Sequence, residues 1–127
     1  MSNYQGIDHI EFNVDDKEAM ADFYKLVGFV ETRRTTHTDG SIELRFPGDE
    51  NAPIMELNSS EKEPKGFGHI SIRVKDIDAA WADISSRPGV KIMRPLGPPR
   101  PGSGRRIFNI EDPQGGKLQF SDQIGPE

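Results

Sequence analysis

The sequence predicts an α+β fold made of two βαβββ modules, on three observations. The stretch "GIDHIEFNV", Gly6 to Val14, returns as "GFGHISIRV", Gly66 to Val74. Each copy runs into a helical pattern of apolar residues, and each helix is followed by three short extended segments rich in branched and aromatic residues. At an offset of sixty, His9 aligns with His69, Ile10 with Ile70, Phe12 with Ile72, Val14 with Val74, Asp16 with Asp76 and Ala19 with Ala79.

The first strand of each module comes from the repeated phrase itself. Its helix follows in "DKEAMADFYKLVG", where Ala19, Met20, Phe23, Tyr24 and Val27 form the expected apolar stripe, and in "DIDAAWADISSRPG", where Ile77, Ala80, Trp81 and Ile84 do. Asp16 and Asp76 are placed to cap the helix starts, because a short carboxylate can accept from an amide of the first turn. Gly28 and Gly89 stand where helices end. The remaining strands are expected in "FVETRRTT", "HTDGSIELRF" and "PIMELNSS", then in "VKIMRP", "RRIFNIED" and "GKLQFSD". The charged stretch "SSEKEPKG" reads as the link between modules of about 5–60 and 66–123, within one domain spanning 1–127.

A chain of 127 residues holds one ordinary domain. Its 16 basic and 21 acidic side chains give a net charge of -5, which argues against a nucleic-acid backbone as partner. No apolar run is long enough to span a bilayer, so no membrane association is expected. The absence of cysteine excludes thiolate metal sites and disulfides and fits a cytoplasmic protein.

Strand alternation sets His9, Glu11 and Asn13 on one face of the first strand and Asp8, Ile10, Phe12 and Val14 on the other. His69, Ser71 and Arg73 oppose Ile70, Ile72 and Val74 in the same way. On the last strands, Glu56 and Asn58 part from Met55 and Leu57, as Lys117, Gln119 and Ser121 do from Leu118 and Phe120. The polar faces therefore offer His9, Glu56, His69 and Gln119 as four nitrogen and oxygen donors. That set suits Zn, Ni, Fe or Mn better than Ca. A single strand histidine is usually a half-exposed side chain without a ligand; equivalent histidines in a duplicated unit are what point to a metal. His37, beside a turn, is expected to be a solvated loop residue.

These phrases, with "ADFYKLVGF", "PIMELNSS" and "EDPQGGKLQFSD", resemble the vicinal oxygen chelate superfamily, and within it the glyoxalase I group. The resemblance covers nearly the whole chain. It implies paired βαβββ modules forming a cupped mixed sheet with helices on the outer face. It also implies one divalent metal bound by His9, Glu56, His69 and Gln119, with Zn or Ni favoured and Fe or Mn as alternatives. A homodimer with sites at the interface is implied as well.

In glyoxalase relatives the last ligand is often Glu and serves as base; Gln119 cannot accept a proton usefully near neutral pH. Glu56 is therefore the expected catalytic base, with Glu11 second. Asn13 and Ser60 stand where glutathione-dependent relatives carry Arg and Asn, so glutathione dependence is doubtful. Arg73 and, from the Pro- and Gly-rich segment "RPLGPPRPGSGRRI", Arg100, Arg105 and Arg106 are the candidate partners of an anionic substrate. Gly102 and Gly104 would let that segment bend as a lid. The activity implied is a metal-dependent lyase or isomerase acting on a small vicinal-oxygen substrate. The competing readings are an Fe-dependent ring-cleaving dioxygenase and a non-enzymatic, bleomycin-resistance-type binding protein.

Overall fold

The computed structural model describes residues 2–36, 40–48, 50–101 and 104–122. Its elements run β1 (Tyr4–Asn13), α1 (Lys17–Leu26), β2 (Val30–Arg34), β3 (Ile42–Arg45), β4 (Ile54–Asn58), β5 (Gly66–Val74), α2 (Ile77–Ser85), β6 (Lys91–Arg94), β7 (Ile107–Glu111) and β8 (Lys117–Ser121). The β-α-β-β-β order thus occurs twice, as the repeat predicts. The chain divides into two compact units, His9–Gly68, called the N-module here, and Met1–Asp8 with His69–Glu127, the C-module.

In the N-module the strand order is β2-β3-β4-β1. β1 pairs with β4 in parallel, while β3 is antiparallel to both β2 and β4. The parallel pair is possible because α1 and two further strands lie between its members, the long crossover that parallel neighbours require. Ala21, Ile42, Leu44 and Leu57 form the core, with Phe12, Met20, Tyr24, Phe29 and Met55 packed against them.

Asp16 caps α1 by accepting from the Ala19 amide at 3.0 Å, and Gly28, at φ 113°, follows its end. The apolar stripe expected on this helix is only partly the buried one. Met20, Ala21 and Tyr24 face the core, whereas Ala19 is exposed and Phe23 and Val27 are 54% and 52% exposed. The reason is the width of the contact: a ten-residue helix lying on β2, β3 and β4 buries one narrow line of side chains, and Phe23 and Val27 fall beside it.

The C-module repeats the plan with the order β5-β8-β7-β6, β5 and β8 being parallel and the other neighbours antiparallel. Its core of Val74, Ile77, Ala80, Ile84, Phe108 and Phe120 includes three of the four residues expected on the α2 stripe, and Trp81 packs against it. Phe108 stacks on Phe120 with ring centroids 4.8 Å apart, and Trp81 meets Phe108 edge-on at 5.2 Å. Asp76 caps α2 through the Ala79 amide at 3.0 Å.

Before β8, Asp112 accepts from the amides of Gln114 at 2.9 Å and Gly116 at 2.8 Å. Gly115 takes φ 84° in the same turn, a conformation other residues rarely adopt. "DPQGG" is therefore an Asp-closed turn that sets the register of β8, and with it the position of Gln119. No helix among the described residues is long and apolar enough to cross a membrane.

Candidate metal and proton-transfer site

Register, more than sequence spacing, brings the candidate side chains into rows. In the N-module Glu43 of β3 lies opposite Glu56 of β4, and Glu56 lies opposite Glu11 of β1. Arg33 of β2 stands opposite Glu43 at the outer end of the row. Residues paired across neighbouring strands project from the same face, so three carboxylates occupy adjacent places on the polar face. Asn58 ties two of them together, donating through Nδ2 to Glu11 Oε2 at 3.1 Å and to Glu56 Oε1 at 3.2 Å. Its Oδ1 accepts from the Ser41 hydroxyl at 2.5 Å, which fixes the orientation of the carboxamide. An amide that orients a candidate ligand is the kind of support metal-binding carboxylates use.

The equivalent row in the C-module runs Arg94, Asn109, Gln119, Ser71. The two rows match position for position, Arg33 with Arg94, Glu43 with Asn109, Glu56 with Gln119 and Glu11 with Ser71. The duplicated scaffold thus carries an acidic row in one module and a neutral row in the other. Below Ser71, Ser121 and Ser71 share a hydroxyl hydrogen bond of 2.9 Å.

Each module also holds one expected histidine on its polar face, His9 opposite Ile54 in β4 and His69 opposite Lys117 in β8. His9 is 2% exposed, His69 4%, Glu56 4% and Gln119 6%. Strand residues of these types are usually partly solvated, whereas all four are buried here. Their chemistry, two imidazoles, a carboxylate and a carboxamide oxygen, fits a borderline divalent ion. Among the described residues, no group of three or more His, Cys, Asp or Glu side chains gathers as a metal cluster; each module presents two of the four donors on its own face.

The other candidate residues have structural partners. Asn13 is 1% exposed, and its Nδ2 donates to the carbonyls of Ser60 and Glu63 at 2.9 Å and of Pro64 at 3.2 Å. Its Oδ1 accepts from the Ser60 amide at 2.7 Å. Arg73 Nε donates to Asp8 Oδ1 at 2.9 Å, and the buried Arg105 guanidinium lies 3.5 Å from Asp8 Oδ2. Arg106 pairs with Asp78 at 3.0 Å and donates to the Gly97 carbonyl at 3.2 Å. Arg100 lines a cleft beside the β6–β7 connection. His37 and Gly102 lie outside the described residues, and Gly104 has φ 73°.

Glu43 is the acidic residue that sequence reading passed over. "SIELRF" already placed it on the face opposite Ile42 and Leu44, so alternation gave its face. Only the β3–β4 register gives its neighbour.

Comparison with known proteins agrees with this architecture. The profile of the Glyoxalase/Bleomycin resistance protein/Dioxygenase superfamily matches residues 6–120. The chain is 34% identical over 121 residues to the uncharacterized protein YwbC of Bacillus subtilis, covering 90% of this chain and 94% of that one. It is 31% identical over 122 residues to a protein of Synechocystis named "Probable lactoylglutathione lyase", covering 88% and 91% respectively. Among solved structures, a variant of Streptomyces coelicolor methylmalonyl-CoA epimerase in complex with 2-nitronate-propionyl-CoA superposes with a TM-score of 0.79 at 23% identity over 98% of both chains. Methylmalonyl-CoA epimerase from Mycobacterium tuberculosis superposes with a TM-score of 0.76 at 21% identity, over 100% of this chain and 91% of that one. With paired βαβββ modules and a superfamily match spanning both of them, the chain belongs to the Glyoxalase/Bleomycin resistance protein/Dioxygenase superfamily.

Proposed function

We propose that the chain is a metal-dependent lyase or isomerase that moves a proton on a carbon next to a carbonyl of a small vicinal-oxygen substrate. One observation carries the reading: the row Glu43–Glu56–Glu11, with Glu43 and Glu56 buried and Glu11 half-buried, on the polar face that also bears His9, repeated in the C-module as Asn109–Gln119–Ser71 beside His69. The proposed ligands of one divalent ion are His9, Glu56, His69 and Gln119. When bound, such an ion polarises adjacent oxygens of a substrate. Zn or Ni suits this chemistry; the superfamily relationship supports a divalent ion in general.

The protein's own part is to hold and move the proton. Glu56, oriented by Asn58, is the first acceptor. Glu43 sits directly opposite it on β3 and supplies a second buried carboxylate to which a proton can pass or from which it can return. Gln119 offers only a carbonyl oxygen, so the acid-base work falls to the acidic row of the N-module. The relatives named as a lyase and as epimerases support this class of reaction, since both activities require proton movement beside a carbonyl. We further propose a homodimer as the active unit, as the family likeness suggests.

The test combines metal content with proton exchange. Protein purified without added metal is assayed for Zn, Ni, Fe and Mn, in the parent and in His9→Ala/His69→Ala. Exchange of substrate carbon-bound hydrogen in D2O is then followed by NMR for methylmalonyl-CoA and for the methylglyoxal-glutathione hemithioacetal. Bound metal lost in the double variant, with exchange slowed at least about 100-fold in Glu56→Gln, is the expected result. Unchanged metal stoichiometry in the folded double variant overturns the ligand set, and bound Fe with oxygen uptake would replace the reading with ring cleavage. A metal-free protein that binds without turnover would place the chain among binding proteins.

A further inference from the structure

The two proposed oxygen ligands differ in what must orient them. A carboxylate such as Glu56 can meet a cation with either oxygen, since both only accept. A carboxamide has one end that ligates and one that does not: Gln119 offers Oε1, while its Nε2 carries two donors and no usable lone pair. The side chain does not itself decide which end faces a cation, because the two arrangements differ by a half-turn of a terminal torsion with two-fold preference. A neighbour that accepts a hydrogen bond decides it, by taking the NH2 group and leaving the carbonyl oxygen free to ligate.

On the polar face of the C-module, strand register names the side chains placed to do so. Lys117 and Ser121 lie two residues either side of Gln119 on β8, Ser71 stands opposite it on β5, and Asn109 opposite it on β7. Lys117 only donates. Ser71 and Ser121 share a hydroxyl hydrogen bond of 2.9 Å. Glu111, diagonal to Gln119 on β7, accepts from Lys91 Nζ at 2.9 Å. Asn109 remains: it is 4% exposed, and its Oδ1 has no hydrogen-bond partner among the described residues. Directly opposed strand residues have Cβ atoms about 5 Å apart, within reach of two amide side chains. A buried amide oxygen left unmet costs free energy, so native folds seldom keep one without a use. The N-module shows the complementary polarity. Glu56, which only accepts, is oriented by a donor, Asn58 Nδ2 at 3.2 Å; Gln119 needs an acceptor for its nitrogen, and Asn109 Oδ1 is one.

We propose that Asn109 is a positioning residue: its Oδ1 accepts from Gln119 Nε2 when metal is bound, and so commits Gln119 to ligate through its carbonyl oxygen. The inference deepens the metal-dependent reading of the same site and rests on it for the metal. It also accounts for the unsatisfied oxygen, which is met when Gln119 takes its ligating orientation. Asn109 acts through Gln119 and needs no contact with substrate.

The test reads metal affinity, stability and one side-chain signal, none of which needs a substrate. Full-length protein stripped with a chelator is titrated with ZnCl2 and, separately, NiCl2 by calorimetry, and thermal melts are recorded without metal. Asn109→Leu keeps the side-chain volume and removes the acceptor, so affinity should fall about 10- to 100-fold, the usual loss when the support of a ligand is deleted. Without metal the same variant should melt at or above the parent, because an unsatisfied buried oxygen has gone. Asn109→Asp, which restores an acceptor, should recover most of the affinity. Arg94→Gln, which faces Asn109 from β6 and only ever donated, should bind as the parent does. In 15N spectra of zinc-loaded protein, the Gln119 Nε2 protons should exchange slowly with solvent in the parent and in Asn109→Asp, and rapidly in Asn109→Leu. Equal affinity in folded Asn109→Leu, no recovery in Asn109→Asp, or a metal-free Asn109→Leu melt well below the parent overturns the positioning role and leaves the ligand set standing. A parent that binds neither zinc nor nickel sinks the ligand set, and the positioning role with it.

Discussion

Half-buried Arg73 forms an ion pair with buried Asp8, Arg73 Nε lying 2.9 Å from Asp8 Oδ1, and the same carboxylate faces buried Arg105 at 3.5 Å through its other oxygen. The Asp8 and Arg105 side chains are each 3% exposed. Such a group is costly to break from one side, because the remaining charge stays buried without compensation. Asp8→Asn should lower stability by about 3 kcal/mol, read as a shift of the urea midpoint at unchanged slope. Arg87→Gln, which breaks an exposed pair with Asp83, should leave the urea midpoint almost unchanged. Similar small losses for both variants would show that the Asp8 cluster behaves as a surface network.

Acid sensitivity should concentrate on Glu31. Hydrogen bonds from Arg34 first, and from Lys25 second, hold its carboxyl at about 2 against an ordinary 4.5. Its folded value is lowered, so the stability it contributes is fully present above about 4.5 and is lost as pH falls toward about 2. Glu31→Gln should cost about 1 kcal/mol at pH 7, a small figure because the network lies at the surface. Thermal melts of parent and variant should converge as pH approaches 2. A constant gap across that range would contradict the assignment.

Glutathione chemistry should be weak. Asn13 and Ser60, the positions where glutathione-dependent relatives hold the glutamyl end, hydrogen-bond each other through Ser60 N to Asn13 Oδ1 at 2.7 Å and Asn13 Nδ2 to Ser60 O at 2.9 Å. Both are thereby engaged in fixing the 60–64 segment. With Gln119 in place of the expected base as well, kcat/KM for the hemithioacetal should stay below about 10⁴ M⁻¹s⁻¹, the low end for enzymes, with Ni, Zn or Fe loaded. Turnover well above that value would refute it.

Gly68 should matter for activity more than for stability. A Cβ added there would collide with the Glu11 carboxylate, whose Oε2 shares Asn58 with Glu56. The closest clash is with the movable end of a side chain, and the Glu11 carbonyl oxygen, 3.3 Å from the added Cβ, has to give by only a few tenths of an ångström, so the fold can yield at little cost. Gly68→Ala should melt within about 1 kcal/mol of the parent while carbon-proton exchange slows about tenfold. Unaltered exchange in that variant would separate Glu11 from the orientation of Glu56.

By itself, the sequence determined the duplicated βαβββ plan, the Asp16 and Asp76 caps, the apolar face of α2 and the faces on which His9, Glu56, His69 and Gln119 lie. These follow from local rules, strand alternation, helix periodicity and cap chemistry, which one stretch of chain expresses without knowing its neighbours. Tertiary structure decided the rest. Strand register is a relation between segments far apart in the chain, so the Glu43–Glu56–Glu11 row and its neutral counterpart Asn109–Gln119–Ser71 appear only when β3 meets β4 and β7 meets β8. Charge pairing is equally nonlocal: nothing near Arg73 or Arg105 announces Asp8 as their partner, yet burial leaves a guanidinium few alternatives to the carboxylate that the fold brings beside it.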